Sequence, residues 1–368
     1  MAFFKNLLRN NGFKKERPET TPARTVAATP EEPAAPAERL DLTQESPDMD
    51  PQEGLRQITS RYNRNVKECL PVGREQVLSR VKELDNLPSL ASLTRTLQEN
   101  LSTKGADLES IAGVIEKDTA LTSRILRLAN SAYFSQGQEL TSVFEAVARL
   151  GVPTIRNMVT THRVLQDAQN LAPNFNWRVL WMHNVAVSMA AEDLCDILGV
   201  DSPPFLAAGG LLHDLGKIIL SDLYPDHYLK VLTQAYGSAR PLVLEERSLF
   251  GTDHEEAGAI FSRASGFPEN LTAIIAFHRA PENAGDYQVQ ASVVQLANYF
   301  VKIFGLGFSG DRTFSVDHYS ELSGWKIIRA DAQASNLRYL EQMDSLLKVS
   351  LDTSRSKIQR ALRTWFPG

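Results

Sequence analysis

Apolar side chains that recur at intervals of three and four residues dominate the chain after Gly54. The pattern is clear in residues 74–84, 90–101, 108–116 and 121–128, and no stretch alternates apolar and polar residues as a half-buried strand would. This periodicity predicts amphipathic helices that pack on one another. We therefore expect an all-α fold, a multi-helix bundle of short helices.

Several residues indicate where these helices begin and end. Thr141 is expected to cap the N-terminus of one helix, and Gly151 is expected to end it, because glycine adopts the backbone conformation that follows a helix. Pro225 and Pro268 are expected at the start of two later helices, where a missing N–H group costs little.

The first 54 residues differ in composition from the rest. Residues 17–51 are rich in Pro, Ala, Thr and Glu and contain hardly any large apolar side chain, so burial cannot offset the entropy of ordering them. We expect a disordered tether over residues 1–54. The segment from Met1 to Arg17 carries positive charge and four apolar residues that would share one helical face: Phe3, Phe4, Leu7 and Leu8. It either frays or makes a peripheral contact with a partner or an anionic membrane.

Composition excludes several classes of protein. With 368 residues, 43% of them hydrophobic, the chain can bury a sizeable core. A net charge of −5 without a basic stripe argues against nucleic-acid binding. The two cysteines, Cys69 and Cys195, are too far apart in sequence for a thiolate zinc motif and fit a reducing compartment. We find no transmembrane run and no signal peptide, so we expect a cytoplasmic protein.

An adjacent histidine and aspartate, His213 and Asp214, interrupt an apolar run that the periodicity assigns to a buried helix. Burying such a pair is costly unless it is hydrogen-bonded or holds a cation. Three further histidines, His183, His254 and His278, fall in the middle or at the ends of predicted helices. A helical metal site requires ligands that are spread along the chain in this way.

Four motifs then occur in a characteristic order: LPSL at residues 87–90, IEKDTAL at 115–121, LRLANSAYF at 126–134 and SVFEAVARLG at 142–151. In this order and spacing the chain resembles, over residues 84–305, the HDOD family of bacterial signalling domains. The resemblance implies a domain over residues 70–305. Its N-terminal helical subdomain would span about residues 70–170, and a subdomain related to HD phosphohydrolases would span residues 171–305. Residues 306–368 would form a C-terminal helical extension.

The resemblance also implies a set of site residues. HD and HD-GYP phosphodiesterases hold metal ions that orient a water molecule and neutralise charge on a phosphoester. His183 is similar to their first histidine, His213 and Asp214 to their His-Asp doublet, and Lys217 to the lysine that follows the doublet. If the chain is catalytic, Lys217 is the candidate catalytic residue.

Two departures from the enzyme pattern predict a degenerate site. Asn298 stands where the final aspartate is expected, and it offers a carbonyl oxygen without a negative charge. Phe277 precedes His278 where active HD-GYP enzymes have a second histidine. The triplet at residues 266–268 is expected to be a loop before a helix rather than a cyclic-dinucleotide loop. The candidate metal ligands are His183, His213, Asp214, His254, His278 and Asn298.

Three states of this cluster remain open from the sequence. The side chains could form a hydrogen-bonded cluster without a metal, hold one divalent ion (Mg, Mn or Fe), or hold a working pair of ions. Apart from such an ion we expect no cofactor. The acidic pairs Glu245-Glu246 and Glu255-Glu256 are expected to be solvated helix faces.

The resemblance predicts a non-catalytic signal-transduction module or scaffold that acts through contacts with signalling proteins. Two alternatives use the same cluster. One is a metal-dependent phosphohydrolase acting on a nucleotide or cyclic dinucleotide. The other is a nucleotide sensor in which Lys217 and His278 bind phosphate without hydrolysis.

Overall fold

The structure of the chain, a computed structural model, describes residues 66, 68–86, 108–116, 122–123, 125–126, 129–130, 140–151, 155, 177–203, 205–238, 240–310, 318–334 and 342–366. All regular secondary structure within these ranges is helical. The α-helices are α1 (Arg74–Lys82), α2 (Leu108–Ile115), α3 (Val143–Leu150), α4 (Trp177–Leu198), α5 (Leu206–Leu212), α6 (Leu215–Leu223), α7 (Pro225–Ser238), α8 (Leu242–Phe250), α9 (His254–Ala264), α10 (Glu269–Phe277), α11 (Gln288–Ile303), α12 (Ser323–Ala334) and α13 (Met343–Trp365). Short 3-10 turns occupy Glu83–Asn86, Pro281–Asn283, Gly285–Tyr287 and Tyr319–Glu321.

The all-α prediction is therefore confirmed over the described ranges. The predicted helices at residues 74–84 and 108–116 correspond to α1 and α2. The predicted helix at residues 90–101 and the N-terminal tether lie outside the described residues, and so does part of the predicted helix at 121–128.

Helix α3 shows how local sequence sets the helix ends. Its cap is Ser142 rather than Thr141, because the Ser142 hydroxyl accepts a hydrogen bond from the Glu145 backbone N–H at 3.4 Å. Thr141 lies one residue too early to replace it, so that prediction was wrong by one position. Gly151 ends the helix with a positive φ of 81°, as predicted.

The predicted proline positions are also confirmed. Pro225 is the first residue of α7, and Pro268 immediately precedes α10. The residues before Pro268 form a turn in which Gly266 has a φ of 69°. The triplet at residues 266–268 is thus a loop before a helix, as expected.

Helix α4 lies at the centre of the bundle. All of its residues from 180 to 191 are buried, so the helix has no solvated face along that stretch. It packs against α5, α11 and α13. The Ser188 hydroxyl within it donates to the Ala207 carbonyl on α5 at 2.7 Å, which satisfies one of its few polar groups. Because α4 is enclosed on all sides, a histidine in its middle, His183, is fixed from every direction.

Two glycines permit close contact between backbone segments near this helix. A Cβ at Gly216 would lie 1.8 Å from the His254 carbonyl oxygen, so α6 could not approach the start of α9 with any other residue there. A Cβ at Gly307 would lie 2.3 Å from the His183 backbone nitrogen, and Gly307 has a φ of 75°. Each contact fixes the backbone of a histidine of the cluster, His254 in the first and His183 in the second, so the spacing of the cluster depends on these two positions.

The C-terminal helices pack back on the bundle. The Asp193 carboxylate on α4 accepts a hydrogen bond from the Ser354 hydroxyl of α13 at 2.6 Å and pairs with the Lys357 ammonium. The Gln295 amide on α11 accepts from the Gly324 backbone N–H at 2.8 Å and donates to the Arg279 carbonyl at 2.8 Å. Helices α12 and α13 therefore share polar contacts with the elements that precede them.

The predicted division of residues 70–305 near residue 170 stays a prediction, since residues 156–176 lie outside the described ranges. Among the helices that the structure describes, none combines the length and apolar character needed to cross a bilayer.

Replacing Gly216 by alanine tests the close contact between α6 and α9. We expect Gly216→Ala to lower the free energy of unfolding by about 3 kcal/mol or more, because the added methyl group meets backbone that cannot move aside. Urea denaturation measures this change. Gly237→Ala is the matched control, since nothing lies within 4 Å of its Cβ position and the helical context of α7 should give a gain of about 0.5 kcal/mol. Equal effects at the two glycines would contradict the prediction.

Candidate metal centre

The His-Asp doublet lies at a break between two helices. Helix α5 ends at Leu212, His213 and Asp214 form the turn, and α6 begins at Leu215. The expectation of a position within one buried helix was wrong in this respect, although both side chains are fully buried, as expected. Because the two residues lie in a turn and not within a helix, both side chains can face the cluster.

Four imidazoles converge on the Asp214 carboxylate. On the Oδ2 side, the Nε2 atom of His213 lies 3.4 Å away and that of His183 lies 4.0 Å away. On the Oδ1 side, the Nε2 atoms of His254 and His278 lie at 3.6 and 3.9 Å. The histidines come from α4, the turn before α6, the start of α9 and the residue after α10. The structure thus brings together five of the six predicted metal ligands.

Hydrogen bonds on the opposite side of three rings fix which nitrogen can bind a metal. The Nδ1 atom of His213 lies 2.8 Å from the Gly210 carbonyl oxygen, and that of His278 lies 3.2 Å from the Ile275 carbonyl oxygen. A carbonyl only accepts, so Nδ1 carries the proton in each neutral ring and Nε2 keeps its lone pair. These lone pairs point toward Asp214.

The third ring, His254, is held by a carboxylate. Its Nδ1 atom lies 2.5 Å from the Glu246 Oε2 atom, which also accepts the His254 backbone N–H at 3.1 Å. The other Glu246 oxygen accepts a hydrogen bond from the Tyr228 hydroxyl at 2.9 Å. An imidazole that donates to a carboxylate in this way is a common arrangement behind metal ligands.

Several atoms of the cluster are suited to bind a metal ion. The Nε2 atoms of His183, His213 and His278 and the Oδ1 atom of Asp214 are buried without a hydrogen-bond partner. Lone pairs that face one another without a proton or a cation between them are costly in a buried site. The ligand atoms of His183, His213 and Asp214 lie within 4.8 Å of one another, and so do those of Asp214, His254 and His278. The residues therefore fit a divalent metal ion.

Burial controls the protonation of the cluster. Desolvation lowers the pKa of His213 to about 4 and holds those of His183 and His278 well below the ordinary range. These three rings are neutral at pH 7, as metal ligands must be. Burial would raise the pKa of Asp214, but the adjacent His213 ring and the Lys217 ammonium hold it well below its usual value. Asp214 is thus the anion at the centre of the site.

Lys217 neutralises part of that charge. Its ammonium group donates to Asp214 Oδ2 at 2.8 Å and to the Ser309 carbonyl oxygen at 2.8 Å. The side chain is nearly fully buried. The predicted candidate catalytic residue therefore lies within the cluster and is bonded to its central carboxylate.

Asn298, the sixth predicted ligand, lies on α11 and is half-buried. Its Oδ1 atom is buried without a hydrogen-bond partner. Among the remaining histidines, His162 lies outside the described residues, His227 packs its ring edge-on to Tyr224, and His318 accepts the Ser320 backbone N–H.

The expectation that both acidic pairs form solvated helix faces was wrong. Glu245, Glu246 and Glu255 are buried. Apolar residues lie three and four positions before Glu246 and three and four positions after it along α8. The periodicity therefore already indicates that Glu246 lies on the buried stripe of this helix. Glu255 lies 3.8 Å from the Nδ1 atom of His278 and accepts the Arg279 backbone N–H at 3.2 Å.

Glu255 gives the cluster a testable pH dependence. Burial raises the pKa of Glu255 to about 7, so its neutral form stabilises the fold below pH 4.5 and this contribution is lost as the pH rises through 7. In chelator-treated protein, Glu255→Gln should therefore gain stability relative to the parent between pH 5 and pH 8.5, on the order of 3 kcal/mol. Urea denaturation at the two pH values measures this difference. Exposed Glu282→Gln should show no such pH-dependent change.

Comparisons with known proteins place this geometry in a family. Residues 87–281 match the family model described as the HDOD domain. A Treponema pallidum (strain Nichols) protein, named only as an uncharacterized protein, is 27% identical over 227 residues. That match covers 60% of this chain and 43% of the relative, so the chain spans less than half the length of the curated protein.

Solved structures share the fold. An HDOD domain protein with unknown function from Geobacter sulfurreducens superposes with a TM-score of 0.60 at 21% identity, covering 85% of this chain and 99% of that one. A candidate signal transduction protein from Marinobacter aquaeolei VT8 gives 0.55 at 18% identity, covering 85% and 65%. A candidate phosphohydrolase from Shewanella amazonensis SB2B gives 0.51 at 22% identity, covering 78% and 96%. Because the family match includes more than half of the 368 residues, the chain belongs to the HDOD domain family.

Proposed function

We propose that the chain is a non-catalytic signalling module that acts through contacts with other proteins, and that its Asp214-centred cluster holds one divalent metal ion that stabilises the fold. The observation that carries the non-catalytic part is the burial of the cluster. The side chains of His183, His213, Asp214, His254 and His278 are at most 1% exposed. A phosphoester must reach the metal directly, and among the residues that the structure describes the ligands of this site present almost no surface to one.

The charge of the cluster favours one ion over two. Asp214 supplies one negative charge, and Lys217 already opposes it at 2.8 Å. Asn298 stands where the enzyme pattern has an aspartate, so it brings a neutral oxygen. Two divalent ions in a buried site would leave a large uncompensated positive charge.

The donor set also favours a class of metal. Four imidazole nitrogens and one carboxylate suit Mn, Fe, Zn or Ni better than Mg, which prefers oxygen ligands and keeps its waters. When bound in HD enzymes, such an ion supplies a water of lowered pKa and polarises a phosphoryl oxygen. In this chain the ion would instead cross-link the separate helices and turns that carry its ligands.

A metal-dependent phosphohydrolase is the second candidate function. The observation that favours it is the retention of four imidazoles and Lys217 around one carboxylate. The fold is shared with the Shewanella amazonensis protein described as a candidate phosphohydrolase. A nucleotide sensor gains less support, because the Lys217 ammonium that would bind phosphate is already bonded to Asp214 and Ser309.

Metal content and turnover of the full-length chain test the proposal together. Elemental mass spectrometry should find about one transition-metal ion per chain after dialysis. At a free metal concentration 100 times Kd, the free energy of unfolding should rise by about 2.7 kcal/mol relative to the chelated protein.

Hydrolysis of bis(p-nitrophenyl) phosphate and of cyclic di-GMP, with Mn²⁺ or Fe²⁺ added, should not exceed that of Asp214→Asn. Turnover that requires Asp214 would favour the phosphohydrolase instead. Metal-free protein without a thermal response to added ions would contradict the metal part of the proposal.

A further inference from the structure

We infer that the single ion binds in the half of the cluster formed by Asp214 Oδ1, His254 and His278, and that Glu246 is the positioning residue for His254. This inference rests on the metal site proposed above. We call this set the second half, and the set of Asp214 Oδ2, His183 and His213 the first half. Each half offers two imidazole Nε2 atoms and one carboxylate oxygen.

Distances do not separate the two halves. The Nε2 atoms lie 3.4 and 4.0 Å from Oδ2 in the first half, and 3.6 and 3.9 Å from Oδ1 in the second half. The charges around them differ, and charge decides where a divalent cation binds in a buried site.

In the first half, the carboxylate oxygen already has a cation. The Lys217 ammonium lies 2.8 Å from Asp214 Oδ2 and is held there by the Ser309 carbonyl at 2.8 Å. A divalent ion on Oδ2 would lie beside this buried positive charge and would have to displace it. The two imidazoles of this half contribute no negative charge to offset the repulsion.

In the second half, a buried carboxylate lies directly behind one ligand. Glu246 accepts the Nδ1 proton of His254 at 2.5 Å, and Glu246 is itself held by the Tyr228 hydroxyl at 2.9 Å. This pairing directs His254 Nε2 toward Asp214 Oδ1. Burial would lower the pKa of His254, but Glu246 raises it above its ordinary value, so a metal ion at Nε2 would replace a proton there. Glu246 also adds a second negative charge close to the second half, where the first half has a lysine.

The other two donor atoms of the second half, His278 Nε2 and Asp214 Oδ1, can bind an ion without losing a hydrogen bond. His278 keeps its Nε2 lone pair because its Nδ1 atom lies 3.2 Å from the Ile275 carbonyl oxygen. His278 Nε2 and Asp214 Oδ1 are both buried without a partner, so an ion would satisfy both. Donors, orientation and charge therefore coincide only in this half of the described cluster.

Metal binding by matched variants tests the inference. The chelated full-length protein and its variants are titrated with Mn²⁺ or Co²⁺ against a chromogenic chelator, and the Co²⁺ absorption bands report the ligand set. We expect His278→Gln to weaken binding at least 100-fold and His183→Gln to change it by less than about fivefold. Glu246→Gln should weaken binding 10- to 100-fold, the range typical of such supporting carboxylates.

Glu245→Gln is the matched control, because Glu245 lies on the same helix, is also buried, and pairs with Arg240 at 3.1 Å instead of a histidine. It should leave the affinity unchanged. Circular dichroism of the chelated variants checks folding. If Glu246→Gln fails to fold, Tyr228→Phe removes only the hydroxyl that holds Glu246, and it should weaken binding by a smaller factor.

The outcomes separate this inference from the proposed function. If the parent protein binds no ion, the metal part of the proposed function fails and the inference fails with it. If the parent binds one ion that His183→Gln loses as completely as His278→Gln, the ion is not confined to the second half, and only the inference is overturned. An affinity that Glu246→Gln and Tyr228→Phe leave unchanged would overturn the role of Glu246.

Discussion

The burial of the Asp214 carboxylate is the constraint on which the rest of the structure depends. A fully buried anion is costly in a protein interior unless charges and hydrogen bonds around it replace water. Here Lys217 supplies a positive charge at 2.8 Å, and four imidazoles surround the remaining lone pairs. Three of those rings are neutral, and their Nε2 atoms are buried without a hydrogen-bond partner, so a bound cation would satisfy atoms that Lys217 does not reach.

The bundle is organised to bring these groups to one place. The ligands come from separate parts of the chain, and four of the five lie at or next to helix ends, where backbone direction changes. Gly216 permits the close approach of α6 to the start of α9, and Gly307 permits that of the loop after α11 to α4. The geometry of the site therefore depends on the fold, since the contacts that build the core also fix the distances between the donor atoms.

The sequence predicted the helical class and most of the cluster, because both leave local traces. Apolar periodicity marked α1 and α2, and the histidines stood out against their apolar surroundings. The break between two helices at His213 and Asp214 was not predicted, because an apolar run of this length is typical of one continuous helix. Glu246 was missed because pairs of glutamates usually face solvent, and its partner His254 comes eight residues later, on another helix. The periodicity of α8 indicates that Glu246 is buried, but local spacing does not reveal its tertiary pairing with His254.

The bond between Lys217 and the Ser309 carbonyl shows that the family boundary and the physical boundary of this domain differ. The family match ends at residue 281, yet the carbonyl that completes the coordination of the buried ammonium lies 28 residues further on. Gly307, in the same loop, touches the His183 backbone, and the Phe308 N–H donates to Val179 in the same helix. The loop after α11 is thus a wall of the site. A chain that ended at residue 281 would lose part of the enclosure that keeps water away from Asp214 and Lys217.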